Sequence, residues 1–268
     1  MACLFVATTP SCIRAQSSYD LRGHARSTGL AHATTALASD VGVHANPAAR
    51  SAQASRVVTF FARQSFGLDA LRYGAAHVVE PRTWGTLSGG AGTFGFEAYR
   101  EVHLSAGFAR GLRLGTTRRL HAGVALRYYH TRVDGYGQTG ALGVHLGLLV
   151  RVLNALHLGV RATNVNVPEI TSGEALPRVL ALGLSYAADR RVRVVVDASK
   201  DIDFPLSLRG GLEVRPVSAV RLRAGVASHP TRFTAGVGVL VGRLRADVAA
   251  EQHQELGWSP AASLGLHW

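Results

Sequence analysis

The chain has 268 residues and a formal net charge of +12; apolar residues make up 47% of it and charged residues 17%. The usual charged share is about 25%, and a disordered chain combines low hydrophobicity with high charge, so this composition excludes disorder. No apolar run reaches the ~18 residues that a transmembrane helix needs. If this chain crosses a membrane, it has to cross with strands.

Arginine supplies the positive charge, because Lys200 is the only lysine among the 29 basic residues. A pI near 10.9 is found in nucleic-acid binders. Such proteins gather their arginines in one patch, whereas here they are spread along the chain. A high-GC genome that encodes arginine in place of lysine explains the excess. We therefore predict no nucleic-acid partner.

Residues 1–15 resemble a damaged export signal. A short apolar stretch leads to Ile13-Arg14-Ala15, a weak cleavage site, but no positively charged start precedes it. Both cysteines, Cys3 and Cys12, lie in this part of the chain. A disulfide framework or a cysteine metal site is therefore excluded for the remainder. We expect the protein to be exported and residues 1–15 to be the remnant of the signal.

From residue 54 onward, short runs alternate apolar side chains with small or polar ones, and turn residues separate the runs. In 119–131, Val124 and Leu126 lie on one face, and Gly123 and Arg127 on the other. A period of two is typical of a strand with unlike faces. The pattern predicts fourteen strands: 54–66, 70–80, 84–95, 99–110, 119–131, 139–152, 155–164, 177–187, 191–200, 205–215, 219–229, 232–242, 243–251 and 259–268.

The two faces indicate which solvent surrounds the sheet. One face is Leu, Val and Ala, and the other carries Gly, Ser and isolated charges. In a bilayer, strands must close so that no edge stays unpaired. Placing Arg221 or Arg223 toward mid-bilayer lipid would cost about 2–4 kcal/mol each, so each such strand has one favourable orientation. We predict an all-β fold, a closed antiparallel transmembrane β-barrel over 54–268. A soluble all-β protein, with apolar side chains inward and arginines on the surface, is the alternative.

The predicted setting is the bacterial outer membrane, with the lipid bilayer and lipopolysaccharide around the barrel. Acidic or longer connections, such as those at Asp134 and Asp201, alternate with short or arginine-bearing ones. In bacterial barrels the short turns are periplasmic. The chain ends with alternate apolar residues and a terminal aromatic, a pattern that predicts a signal for the outer-membrane assembly machinery. Its residues are Leu264, Leu266 and Trp268.

Residues 16–53 do not alternate, and they are rich in small residues up to Asn46-Pro47-Ala48, just before the first strand. This arrangement resembles the FadL-like outer-membrane barrels, particularly the PorV/PorQ-type branch. There a Gly/Ala-rich stretch ends in Asn-Pro-Ala before the first strand. The strand count also agrees, so the resemblance covers nearly the whole chain, with the tripeptide as its one motif.

The resemblance implies that residues 16–53 fold into the lumen as a hatch. It also implies that hydrophobic or amphipathic small molecules pass across the outer membrane, partly through a lateral opening in the wall. PorV-like members instead are partners of a type IX secretion translocon, so a non-transporting barrel partner is the alternative function. The sequence departs from the family in being short and in lacking long extracellular loops. Whether Asn46 acts in gating or only caps a turn stays open.

One glycine-rich strand is the candidate for the lateral opening. Residues 85–95 read GTLSGGAGTFG, with five glycines and poor alternation. Glycine inside a strand weakens it and often marks a bulge or a close approach. We predict a kink that leaves a gap near Gly89, Gly90 and Gly92. The alternative is a flat stretch against which the hatch packs tightly.

Charged residues on the inner face predict a network in the lumen, since buried charges are usually paired. A structural network that fixes the hatch is favoured over a positively biased path for anionic or amphipathic solutes. The predicted members are Arg127, Arg161, Asp197, Arg209, Glu213, Arg221, Arg223, Arg245 and Asp247, with Glu251 as a further acidic partner.

No enzyme chemistry is predicted. Residues 135–140 spell GxGxxG, but a dinucleotide site needs that motif between a strand and a helix, and here it joins two strands. Asp201 and Asp203 fit a solvated loop, and the twelve histidines include no HExxH motif. We predict no catalytic residue, no metal site and no cofactor.

Overall fold

A computed structural model describes residues 23–38, 40–42, 44–114, 118–171 and 174–268. The predicted export remnant (1–15) and the first residues of the predicted hatch (16–22) lie outside these described residues. Among the residues that are described, no helix is long and apolar enough to cross a membrane.

Fourteen antiparallel strands close into one barrel. Each strand pairs with its neighbour in the chain, β1 pairs with β16 to close the barrel, and β7 pairs with β10. The short strands β8 (Glu169–Thr171) and β9 (Glu174–Ala175) form a separate two-stranded sheet between them. The barrel strands are β1 (Val57–Gln64), β2 (Arg72–Arg82), β3 (Gly85–Gly95), β4 (Tyr99–Leu114), β5 (Arg118–Val133), β6 (Gly137–Arg151), β7 (Leu156–Thr163), β10 (Val179–Ala187), β11 (Val192–Asp201), β12 (Ser207–Val217), β13 (Val220–Ala227), β14 (Arg232–Val241), β15 (Leu244–His253) and β16 (Gly257–His267).

The predicted fold class is confirmed, because each of the fourteen predicted strands corresponds to one strand of the closed barrel. The predicted facing is also confirmed. Leu126 and Leu208 point outward and are exposed, while Arg127 and Glu213 point inward and are buried. The soluble alternative is wrong, since it requires the opposite facing. An exterior of exposed Leu and Val is stable only against an apolar solvent.

The two ends of the barrel differ. The terminal end holds the first residue of β1, Val57, and the last of β16, His267. Most connections at this end are short, as at 83–84, 218–219 and 242–243. The opposite end carries the longest connection, 164–178. Because short turns face the periplasm in bacterial barrels, the terminal end is the periplasmic one.

Residues 23–53 are named here the luminal segment, and those of them that the structure describes lie inside the barrel. The segment has one short α-helix, α1 (Ala25–Thr28), which packs against β14, β15 and β16. It ends in a 3-10 turn, Pro47–Ala52, which packs against β3, β4, β5 and β6. Most of its described residues are buried, including the polar ones. The segment therefore crosses the lumen and contacts opposite sides of the wall.

Candidate functional site: the filled lumen

Facing glycines shape the inner wall where the luminal segment docks. A Cβ atom added at Gly123 would lie 2.5 Å from the carbonyl carbon of Pro47, and one added at Gly159 would lie 2.2 Å from the carbonyl oxygen of Thr35. Only glycine lets two backbones approach so closely. The wall is therefore shaped to accept the backbone of the segment. The facing pairs are Gly123–Gly147, Gly159–Gly183 and Gly211–Gly225.

Asn46 fastens the segment to β6 and β7. Its side chain is fully buried, and its Oδ1 accepts a hydrogen bond from the backbone N–H of Ala48 at 3.1 Å, which caps the 3-10 turn. A Cβ at Gly147 would lie 1.9 Å from Oδ1, so only glycine leaves room for this amide. Asn46 thus caps the turn, as considered in the sequence analysis, and it also contacts the wall. Its Nδ2 donates to three carbonyl oxygens: Thr35 at 2.8 Å, Leu148 at 3.0 Å and Val160 at 3.2 Å.

A buried ion-pair network holds α1 against the wall. Arg26 donates two hydrogen bonds to the carboxylate of Glu213, both at 3.0 Å. Arg223 also donates to Glu213 at 2.8 Å and forms an ion pair with Asp247 at 2.8 Å. Arg245 bonds Asp247 at 2.7 Å. Four predicted network residues therefore meet here, and the luminal segment adds Arg26 as the fifth.

A second network surrounds Glu251, which is 2% exposed. Arg63 donates to it at 2.8 Å, His32 of the luminal segment bonds it at 3.1 Å, and Arg232 lies 3.5 Å away. The sequence analysis placed Glu251 in the lumen but missed Arg63 and Arg232. Arg232 lies on an inward position of a strand whose alternation is clear, so its facing identifies it. Arg63 lies in β1, where apolar side chains occupy both faces, so the sequence pattern does not single it out.

The remaining predicted network residues contact the segment through its backbone and His44. Asp197 accepts a hydrogen bond from the N–H of Thr35 at 2.9 Å. Arg127 donates to the His44 ring at 3.0 Å, and Arg161 donates to the His44 carbonyl oxygen. These contacts join β5, β7 and β11 to the middle of the segment.

Arg209 and Arg221 lie farther from these contacts. Arg209 faces Asp197 across the β11–β12 ladder, and Arg221 faces Gly238 across β13 and β14. Both point into the lumen. The structure thus brings most of the predicted charges onto the luminal segment, while Arg221 lies toward the terminal end of the barrel.

Two histidines of the luminal segment are neutral when the segment is docked. Burial lowers the pKa of His24 to about 4. Burial also lowers the pKa of His32, although the hydrogen bond to Glu251 opposes this effect. Protonation of either ring would place a positive charge in a buried interior that already holds many arginines.

The predicted gap in β3 is wrong for this conformation. β3 pairs with β2 and with β4 along Gly85–Gly95, with no shift of register. A Cβ at Gly90 would lie 2.7 Å from the ring of His77, and one at Gly92 would lie 2.4 Å from the ring of His103. These two glycines therefore make room for inward side chains of the wall itself. Gly89 points outward on the same unbroken strand.

The wall is interrupted elsewhere, between β6 and β7. These strands pair only along 146–151, opposite 157–162. Toward the opposite end, residues 137–145 of β6 have no β7 beside them. Residues of the connection to β10, including Val165, Asn166 and Ile170, contact this edge of β6 instead. The outer half of the wall is therefore closed here by a connection that carries the small β8–β9 sheet, not by a strand of the barrel.

A side-chain amide takes the place of the missing ladder. The Oδ1 of Asn166 accepts from the N–H of Val144 at 2.8 Å, and its Nδ2 donates to the carbonyl oxygen of Leu142 at 2.8 Å. Asn164 and Val167 both adopt positive φ angles, 54° and 51°, which non-glycine residues seldom do. A few exposed hydrogen bonds and a strained loop close the wall at this point.

A polar cavity of about 80 Å³ lies at the opposite end of the barrel, against the luminal segment. His32 and His44 of the segment line one side of it, and Arg161, Arg209 and Phe204 line another. The lumen next to the segment is therefore polar at this end.

The predicted assembly residues lie at the end of β16. Leu264 and Leu266 point outward opposite Ala246 and Leu244 of β15, and Trp268 follows the strand and is exposed. An outward apolar face suits a lipid neighbour. Recognition by the assembly machinery stays a prediction.

Comparison with known proteins shows the fold. The chain is similar to the CymD monoaromatic hydrocarbon channel, with a TM-score of 0.70 and 11% identity over 93% of this chain and 98% of that one. A Pseudomonas aeruginosa FadL homologue gives a TM-score of 0.61 with 10% identity over 92% and 98%. The Pseudomonas putida toluene transporter TodX gives 0.58 with 12% identity over 92% and 97%.

No protein-family model matches the sequence, and no curated protein sequence is significantly similar to it. The resemblance to FadL-like barrels is therefore confirmed at the level of the fold. The PorV/PorQ-type branch stays a prediction.

Proposed function

We propose that the protein is an outer-membrane channel that passes hydrophobic or amphipathic small molecules, with the luminal segment as its hatch. The observation that carries this proposal is how the segment is held. It is fixed to the wall by side-chain hydrogen bonds and ion pairs and belongs to no barrel strand. Such a segment can leave its place without opening the barrel. The shared fold with hydrocarbon channels supports the same function.

The interruption between β6 and β7 offers a route through the wall. A molecule that enters at the opposite end meets the luminal segment, so it has to displace the segment or leave sideways. Residues 164–171 and 174–178 close the wall through the two hydrogen bonds of the Asn166 side chain, one from the N–H of Val165 to Val144 at 3.0 Å, and one from the Thr139 hydroxyl to the carbonyl oxygen of Ile170. We expect Asn166→Ala to loosen this loop and to raise uptake.

A reversible lock tests the hatch. A Cβ at Gly211 would lie 3.0 Å from the Cβ of Leu30. A disulfide needs about 3.5–4.5 Å, so a small shift allows Leu30→Cys with Gly211→Cys to link the segment to β12. Cys3 and Cys12 are first replaced by Ser. Uptake of radiolabelled toluene by cells that carry the barrel should fall on oxidation and return with a reductant.

Matched controls make this result specific. Each single-cysteine variant, treated with the same oxidant, should take up toluene at an unchanged rate. If the locked double variant transports as fast as its reduced form, the segment does not move during passage, and the hatch proposal is refuted.

A second candidate function is a non-transporting barrel that is the partner of a type IX secretion translocon. The polar, filled lumen favours it, as do exposed apolar side chains in the connections at the opposite end: Leu68, Phe96, Tyr136, Ile202 and Leu256. Under this candidate neither the locked nor the reduced barrel takes up toluene. The barrel would instead copurify with a translocon subunit.

A further inference from the structure

A cleft opens at the terminal end of the barrel, where β3 stops and β4 continues. The last β3–β4 pair toward this end is Thr86 with Ala109, so β4 runs on from Arg110 to Leu114 without β3 beside it. The cleft of about 280 Å³ lies between this extension and the β2–β3 turn. It is separate from the luminal charge networks described above.

Every charged side chain that lines the cleft, apart from the His121 ring, is an arginine: Arg82, Arg110, Arg113 and Arg119. Arg82 pairs with Glu80 at 3.2 Å. Within the described part of the chain, the other three arginines form no ion pair, and no carboxylate lines the cleft. Arg113 and Arg119 face each other across the β4–β5 ladder on its inward side, while Arg110 lies on the outward side, next to the apolar groove. A bound anion would relieve the repulsion between these like charges.

Trp84 forms one edge of the cleft. Its side chain is exposed and stacks on Phe108, with ring centroids 5.7 Å apart. Tryptophan is enriched where a bilayer meets water, because its ring is apolar while its N–H is polar. The cleft therefore lies at the height of lipid head groups on the periplasmic side.

An apolar groove continues from the cleft along the outer wall. The groove has a volume of about 480 Å³ and crosses β4, β5, β6 and β7. Arg110 lines both the groove and the cleft, so the two are contiguous. The apolar residues that point into the groove are Phe108, Ala122, Val124, Leu146, Leu148, Val160 and Ala162.

We propose that the cleft and the groove together bind one anionic phospholipid of the periplasmic leaflet. The phosphate-bearing head group occupies the arginine cleft, and an acyl chain lies in the groove. A guanidinium donates paired hydrogen bonds to phosphate oxygens, which makes arginine the preferred partner of phosphate. A free phosphate would use the cleft alone, whereas a lipid uses both parts. Lipid binding here does not require transport through the lumen, although Ser51 of the luminal segment also lines the cleft.

Native mass spectrometry of the detergent-solubilised barrel tests the proposal. Phosphatidylglycerol and phosphatidylcholine of the same chain length are added separately, and the lipid adducts are counted. Phosphatidylglycerol should be retained preferentially. Each arginine near an anionic lipid contributes about five-fold in affinity. The triple variant R110Q/R113Q/R119Q should therefore bind phosphatidylglycerol roughly a hundred-fold more weakly.

A matched control removes the same charge elsewhere on the rim. R190Q/R191Q/R243Q changes three exposed arginines at the same end of the barrel and should keep phosphatidylglycerol binding within about two-fold of wild type. Equal losses in both triple variants would mean that net charge alone attracts the lipid, which overturns the site. The shift of the barrel band on boiling checks that all variants are folded.

Two further experiments distinguish binding of a lipid from binding of a free anion. Ala162→Phe fills the groove at β7, where its cross-strand partner is Leu146 and not an arginine, and should weaken phosphatidylglycerol binding. Inorganic phosphate at millimolar concentration should not displace the lipid. Displacement by phosphate, or binding that is indifferent to the filled groove, would show an anion site and refute the lipid. Equal retention of phosphatidylcholine would refute the role of the arginines.

Discussion

Glu213 is the residue on which docking of α1 most depends. Its carboxylate accepts from Arg26 at 3.0 Å and from Arg223 at 2.8 Å, and Arg215 and Arg193 lie 3.8 and 4.0 Å away. The substitution Glu213→Gln keeps the shape of the side chain and removes its charge. The buried Arg26 and Arg223 then lose their common counter-ion, and so do the partly exposed Arg193 and Arg215.

The cost follows from the burial of this group. Glu213 is 1% exposed, and the Arg223 side chain is fully buried. Removing one partner of a buried ion pair costs about 3–5 kcal/mol, because the remaining charge is left uncompensated. At the lower limit this shifts the docking equilibrium of the luminal segment by roughly a hundred-fold. We expect the segment to leave the wall while the barrel, held by its own ladders, stays closed.

Limited digestion with trypsin measures this equilibrium. Arg26 and Arg50 lie in the luminal segment and are 5% and 2% exposed, so the docked segment resists cleavage. In Glu213→Gln both sites should be cut rapidly, while the boiling shift on a gel still reports an intact barrel.

Glu80→Gln is the matched control for this prediction. Glu80 also bonds two arginines, Arg56 at 2.8 Å and Arg82 at 3.2 Å, but this ion pair lies at the exposed rim. Exposed ion pairs contribute about 0–1 kcal/mol. Equal protection from trypsin in the two variants would show that the buried network does not hold the segment.

Further predictions concern the same docking and the wall. Gly147→Ala places a Cβ 1.9 Å from the Asn46 amide and should expose the segment to trypsin, whereas Gly210→Ala, with nothing within 4 Å, should not. Asn46→Ala removes four hydrogen bonds and should destabilise docking by about 1–3 kcal/mol, as measured by hydrogen exchange of the segment. Leu126→Arg on the lipid face should lower barrel stability in urea by about 2–4 kcal/mol; an unchanged midpoint would contradict the outward facing. Because the docked pKa of His24, about 4, lies below its unfolded value, docking should weaken as pH falls below about 6.5 and be weakest near pH 4. Faster hydrogen exchange of the segment at pH 4.5 than at pH 7, after correction for the intrinsic rates, checks this, and equal protection would contradict it.

The strands, and the side of the sheet to which each side chain points, could be predicted because both depend on neighbouring residues in the chain. Side chains alternate along a strand, and an outward arginine is costly in lipid, so 219–229 has one favourable orientation. The glycines on the inner face were visible for the same reason. The residues that these glycines contact could not be predicted, since Gly159 lies against Thr35 only after the chain has closed into a barrel.

The β3 glycines show where local reasoning ends. Gly inside a strand marks either a kink or a close approach, and the sequence of β3 favours neither. In the structure, the rings of His77 and His103 lie against Gly90 and Gly92. These glycines therefore allow a close approach and do not mark a kink. The interruption of the wall could not be predicted, because it depends on how far β6 and β7 overlap.

By itself, the sequence determined that this chain forms a closed barrel with an apolar exterior, charges inside and a separate N-terminal segment. Periodicity and the cost of charge in lipid decide these features residue by residue. Only the tertiary structure decided which charges meet, such as Arg26 and Glu213, 187 residues apart. It also decided where the wall is weakest and where unpaired arginines gather. Those outcomes depend on strand register and on the path of the segment across the lumen, which bring distant residues together and leave no pattern in neighbouring ones.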